Sequence, residues 1–62
     1  MSEEQQIFVV QSGDGYFIEF AGPSPYMTSD PVEATRLTEA TAISIIGRLW
    51  ELGFPMPTPR PL

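Results

Sequence analysis

The sequence contains no cysteine and no histidine, and because its three bases are all arginines (Arg36, Arg48 and Arg60) it contains no lysine either. The first absence removes disulfides. The first two together remove the soft and imidazole ligands of an ordinary zinc or haem site. A nucleophilic serine or threonine needs an adjacent base, and here there is no His, Cys or Lys to supply one. Apart from Glu19 in the second strand, the carboxylates fall in the leader, in turns and on a helix surface rather than in a working acid–base pair. The protein therefore reads as a non-enzyme with no cofactor and no metal. Positive charge is also scarce, with eight acids against three bases and a net charge of −5. Nucleic acids and anionic membranes are bound by clustered cations, so neither is expected as a direct partner. No apolar run reaches the ~18–20 residues of a membrane-spanning helix. The acidic start Met1-Ser2-Glu3-Glu4-Gln5-Gln6 is opposite in character to a signal peptide. A cytoplasmic protein is expected.

Sixty-two residues allow a single domain. A chain this short buries only about 60% of its unfolded surface. With disulfides and metals gone, self-association is the remaining supplement to a small core. The acids Glu3, Glu4, Asp14, Glu19, Asp30, Glu33, Glu39 and Glu51 are dispersed. They serve solubility rather than forming the dense row of a phosphate mimic.

Residues 1–5 read as a frayed leader. Residues 6–11 (QIFVVQ) are rich in β-branched and aromatic side chains, which predicts a strand apolar on both faces. Ser12-Gly13-Asp14-Gly15 is a hairpin turn, since glycine admits positive φ and Asp-Gly is a favoured hairpin dipeptide. It lacks the spacing, lysine and following helix of a phosphate loop. Residues 16–21 (YFIEFA) return as the antiparallel partner, with Tyr16, Ile18 and Phe20 on one face and Phe17, Glu19 and Ala21 on the other. Gly22-Pro23-Ser24-Pro25 interrupts the sheet, and residues 26–28 make a short edge strand. Ser29-Asp30-Pro31-Val32-Glu33 carries a helix-start signature of capping residue, first-position proline and early acid. The resulting turn is short, over about 31–35.

Thr38 then caps a helix over 39–52, with Glu39 in its first turn and Gly53 beyond its end. On a helical wheel Ala42, Ile46 and Leu49 form the centre of the apolar face. Ile45 and Leu52 widen it on one side, Ile43 and Trp50 on the other. This arc is roughly 180° wide, where a surface helix needs about 100° or a little more. One small sheet covers only part of it, so the remainder is expected to meet a second copy or another protein. Gly47 lies on the Ile43–Trp50 flank and marks either close backbone approach or a tolerated cost of ~1 kcal/mol. Prolines at 55, 57, 59 and 61 predict a polyproline-II tail unable to pair as a ladder. Phe8, Ile18 and Phe20 are assigned to the core. Tyr16, Tyr26 and Trp50 carry polar tips and belong to the residue types enriched at interfaces.

The stretch 26–42, with Tyr26, Asp30, Pro31, Ala34, Arg36, Leu37, Thr38 and Ala42, resembles a pattern in small phage and prophage proteins. There an aromatic edge strand leads through Thr-x-Asp-Pro-x-x-Ala-x-Arg, an apolar residue and Thr-x-x-x-Ala into a helix. The resemblance implies the sheet-then-helix layout over about 7–53. It also implies the company of anti-CRISPR and other anti-defence inhibitors, which act by occupying a host protein.

The expectations are then as follows. The fold is α+β: a two- to three-stranded antiparallel sheet, a hairpin plus a short edge strand, packed by one C-terminal amphipathic helix. Residues 1–54 form the domain and 55–62 a proline-rich tail. Either Ile7 and Val9 or Phe8 and Val10 meet the helix. The function is protein–protein interaction as an inhibitor or adaptor acting on a larger host protein, with the chain itself a homodimer through the remaining helix flank or the second sheet face. The alternatives are a nucleotide-binding protein using Arg36 or Arg48, and a virion or assembly accessory. Candidate interface residues are Tyr16, Tyr26, Ile43, Gly47, Trp50 and Phe54.

Overall fold

Gly13 sets the first turn: it adopts φ 61°, and β1 (Phe8–Ser12) folds back through it into β2 (Gly15–Ala21). The computed structural model describes residues 6–62; the leader expected over 1–5 lies outside them. The hairpin pairs only near its turn, Gln11 opposite Tyr16 and Ser12 opposite Gly15. Beyond that the strands separate, because β2 carries a bulge between Phe17 and Glu19 and a bulge bends its strand. Residues of the later connection fill the gap. The Thr35 N–H donates to the Phe17 carbonyl, and Leu37 exchanges two backbone hydrogen bonds of 2.8 Å with Phe8. Backbone groups that the splayed hairpin would leave unpaired are thereby satisfied.

The bulge also corrects the expected facing of β2. Strict alternation puts Phe17 and Phe20 on opposite faces, yet their rings lie 5.0 Å apart and both belong to the helix-side core. β3 (Ser24–Thr28) pairs with β2, and is longer than expected because Ser24 and Pro25 join the sheet rather than interrupt it. Asp30 then caps a single 3-10 turn, η1 (Pro31–Glu33), its carboxylate accepting from the Val32 N–H at 2.9 Å.

The helix α1 (Glu39–Glu51) begins at Thr38, whose hydroxyl accepts from the Thr41 N–H. It ends in a Schellman motif: the Gly53 N–H (φ 90°) donates to the Trp50 carbonyl and the Phe54 N–H to the Leu49 carbonyl. Its buried residues are Ala42, Ile45 and Leu49. Compared with the expected face, the helix is rolled so that Ile45 enters the core and Ile46 is only half-buried at its margin. Ala42, Ile45 and Leu49 pack with Val10 and Phe17, and Phe8, Phe20, Met27, Leu37 and Phe54 close round them. Phe8 and Val10 thus supply the helix-facing side of β1. Ile18 is half-buried outside that cluster.

The largest departure from expectation is at the end of the chain. Residues 58–61 are not an unpaired polyproline-II tail; β4 (Thr58–Pro61) pairs antiparallel with β1 and completes a four-stranded sheet of order β3-β2-β1-β4. The helix is accordingly not the C-terminal element, and the expected 54/55 boundary falls between the helix and the last strand of one sheet. The reason is phase. The Leu62 N–H donates to the Ile7 carbonyl at 2.9 Å, so in this antiparallel ladder Pro61 and Pro59, opposite Phe8 and Val10, occupy the non-hydrogen-bonded positions. Every missing proline N–H points away from the sheet. Proline is compatible with an edge strand on this condition.

Candidate functional site

The six candidate interface residues do not converge. Ile43 and Trp50 are each 57% exposed, with Gly47 between them on the outer surface of α1. Tyr16 and Tyr26 belong to the sheet. Their neighbours Phe17 and Met27 face the helix, so alternation turns both tyrosines to the opposite face, where Tyr26 is exposed and Tyr16 half-buried. Phe54 is held by the Schellman motif and packs against the core. A glycine followed by an apolar residue just past a helix signals such a contact, so the sequence held the sign that Phe54 turns inward.

The helix surface carries the more coherent arrangement. Ala40, Ile43, Gly47 and Trp50 are all exposed. They are spaced three, four and three residues apart, the interval of a coiled-coil seam. At 3.6 residues per turn this strip lies roughly 150° round the helix from the buried residues. A Cβ built on Gly47 meets nothing within 4 Å, so the glycine accommodates no neighbour within the chain. It leaves a flat step between Ile43 and Trp50. The acids Glu39 and Glu51 flank the strip, and both are exposed. The sequence reading missed Ala40 and these two acids as neighbours of Gly47, although their spacing was readable, because only the observed roll of the helix separates the outer seam from the buried face.

Cationic and concave features offer less. The Arg48 guanidinium lies 5.3 Å from the centroid of the Phe20 ring, a cation–π contact on the flank of α1 nearest β2. A shallow depression of about 450 Å³ at the start of the helix is lined by Gln6, Thr38, Glu39 and Ala40 and holds one ionisable group. Among the described residues no three His, Cys, Asp or Glu side chains gather as a metal site. Among the described residues, too, no helix is long and apolar enough to cross a membrane.

In the connection from β3 to α1, most of the residues singled out in the sequence have structural roles. Asp30 caps η1, Pro31 opens it, Ala34 is 7% exposed, Leu37 bridges to Phe8, Thr38 caps α1 and Ala42 is fully buried. Arg36 is exposed. Comparison with protein-family models, with curated proteins and with solved structures found no match to this chain.

Proposed function

We propose that this protein is a non-enzymatic interaction module that binds another protein through the outer strip of α1. The observation that carries this reading is the exposed row Ala40–Ile43–Gly47–Trp50 on a helix whose opposite side is already filled by the sheet. A large aromatic and a β-branched side chain held in water beside a flat glycine step have no role in this chain's own core. Tryptophan in such a setting is the residue type most enriched among binding hot spots.

Both sheet edges argue against the competing route of strand addition. On β4 the outward positions are Pro59 and Pro61, which have no N–H. On β3 the Phe17 backbone is turned toward Thr35, so Phe17 and Met27 form a non-hydrogen-bonded pair, and the outward positions are Pro25 and Met27. One N–H remains on that edge. Prolines on edge strands block pairing with further chains. The role of inhibitor or adaptor acting on a host protein rests on the resemblance of residues 26–42 to small phage proteins.

The test is a comparison of the tagged full chain with its Gly47→Gln variant as bait in bacterial lysate. The variant fills the step without altering charge, at a site with room for it. A partner retained stoichiometrically by the native chain and lost by the variant supports the reading. Equal recovery with both baits, or no partner with either, removes it.

A further inference from the structure

We infer that the occupant of the α1 strip is an amphipathic helix with basic residues beside its apolar seam. The inference rests on the interaction reading above and adds the identity of the partner element. The geometry matches a helix because the four strip residues follow a three-four-three spacing along one side of a helix of 13 residues, with Ala40 and Gly47 at equivalent positions and Ile43 and Trp50 at the alternating ones. The small residues allow a second helix axis to approach closely, and Ile43 and Trp50 act as knobs on either side of the step.

Charge then selects among helices. In heptad terms Glu39 and Glu51 occupy the flanking positions that set partner choice in coiled coils. The other flanking residues are Ser44 and Ile46, neither of them basic. Arg48 is engaged over Phe20, while Arg36 and Arg60 lie off the helix. A second copy would set the Glu39–Ile46 flank against the Ser44–Glu51 flank, each with one acid and no base to pair it, between two chains of net charge −5. Like charges across an interface penalise the wrong partner, and opposite charges steer the right one. A homodimer through this strip, expected from the sequence, is thus the disfavoured occupant, and a lysine- or arginine-flanked helix is the favoured one.

Trp50 is the only tryptophan in the chain and sits in the strip, so its emission reports occupancy directly. The probe is a synthetic three-heptad peptide with apolar residues at both seam positions and lysine at the flanks. It is compared with a glutamate-flanked twin and with a lysine peptide of the same composition but scrambled order. The lysine-flanked peptide should gain helicity and shift Trp50 emission to shorter wavelength at one-to-one saturation. Its affinity should fall about tenfold or more in Gly47→Gln and in the Glu39→Lys, Glu51→Lys double variant, the scale of losing a hot-spot contact. Equal binding of the scrambled peptide would reduce the effect to bulk charge and overturn the proposal. So would binding that ignores Gly47→Gln, or a dimer of the protein alone that Gly47→Gln dissociates in sedimentation equilibrium. Should Gly47→Gln lose a stoichiometric lysate partner while the lysine peptide fails to bind, the interaction reading stands and the basic helix falls.

Discussion

Gly47 occupies a helix interior with open space where its side chain would be, which makes it costly for folding and useful only from outside. Replacing a mid-helix glycine by alanine recovers about 0.5–1 kcal/mol of helix propensity and unfolded-state entropy. Gly47→Ala should therefore raise the urea midpoint of the free protein by a corresponding amount. A lower midpoint would mean that the position is already crowded in the folded chain. Met56 poses the converse problem. It sits between Pro55 and Pro57 at φ 38° with its side chain 72% exposed. The left-handed region costs an ordinary L-residue roughly 1–2 kcal/mol, and asparagine visits it more readily. Met56→Asn should stabilise the protein by about 0.5–1 kcal/mol, measured by chemical denaturation. An unchanged or reduced stability would show that Met56 packs more closely than its exposure implies.

The strand β4 shows at the scale of an element what the sequence concealed. The alternation of four prolines over 55–61, two of them in β4, was legible as an obstacle to pairing, and the same alternation, taken in phase with β1, is what permits pairing on one side only. Phase depends on where the loop after α1 delivers the chain. That is a tertiary matter: the Ser12 hydroxyl donates to the Pro55 carbonyl at 2.7 Å, and Pro57 is buried. The bulge in β2 was hidden for a similar reason, because residues 16–21 alternate well enough to suggest a flat strand, and only the insertion of Thr35 beside β2 and Leu37 beside β1 makes the bend favourable. Local chemistry, by contrast, was fully readable. Asp30 and Thr38 cap their turns, and Gly53 terminates the helix, as their side chains or lack of one dictate. Of the candidate site, Ile43, Gly47 and Trp50 were legible as a flank, whereas the inward turn of Phe54 and the separation of the tyrosines needed the assembled sheet. Substitutions in β4 should therefore act asymmetrically. Arg60→Pro removes an N–H that faces Val9 and should destabilise the fold by about 1–3 kcal/mol, the cost of leaving a ladder group unsatisfied. Pro59→Thr and Pro61→Thr together should leave the fold intact, restore outward donors to the edge and produce concentration-dependent association in light scattering. Equal destabilisation by both changes would mean that the ladder runs in the other phase.

At the scale of the molecule, the described residues carry six of the eight acids and all three arginines within a radius of gyration of 11.5 Å. That radius is close to the Debye length of about 10 Å at 0.1 M salt, so most pairs of acids feel each other at low ionic strength and are screened at physiological strength. Self-repulsion of this kind opposes the compact state. Proline at both outward positions of β4, and at one of the two on β3, leaves a single outward N–H on the sheet edges, so relieving the repulsion opens little route to strand-on-strand aggregation. The acidity that burdens folding also attracts a basic helix to α1, and the two effects respond oppositely to salt. Raising sodium chloride from about 0.01 M to 0.15 M shortens the Debye length from roughly 30 Å to 8 Å. Over that interval the thermal midpoint of the free protein should rise, while the affinity of the lysine-flanked peptide, read at Trp50, should fall. Were both to rise, the contact would be governed by apolar burial and the acids Glu39 and Glu51 would have no part in choosing the partner. Were the midpoint to fall, attraction involving the three arginines would outweigh repulsion among the acids, and the charge argument for a basic partner would lose its premise.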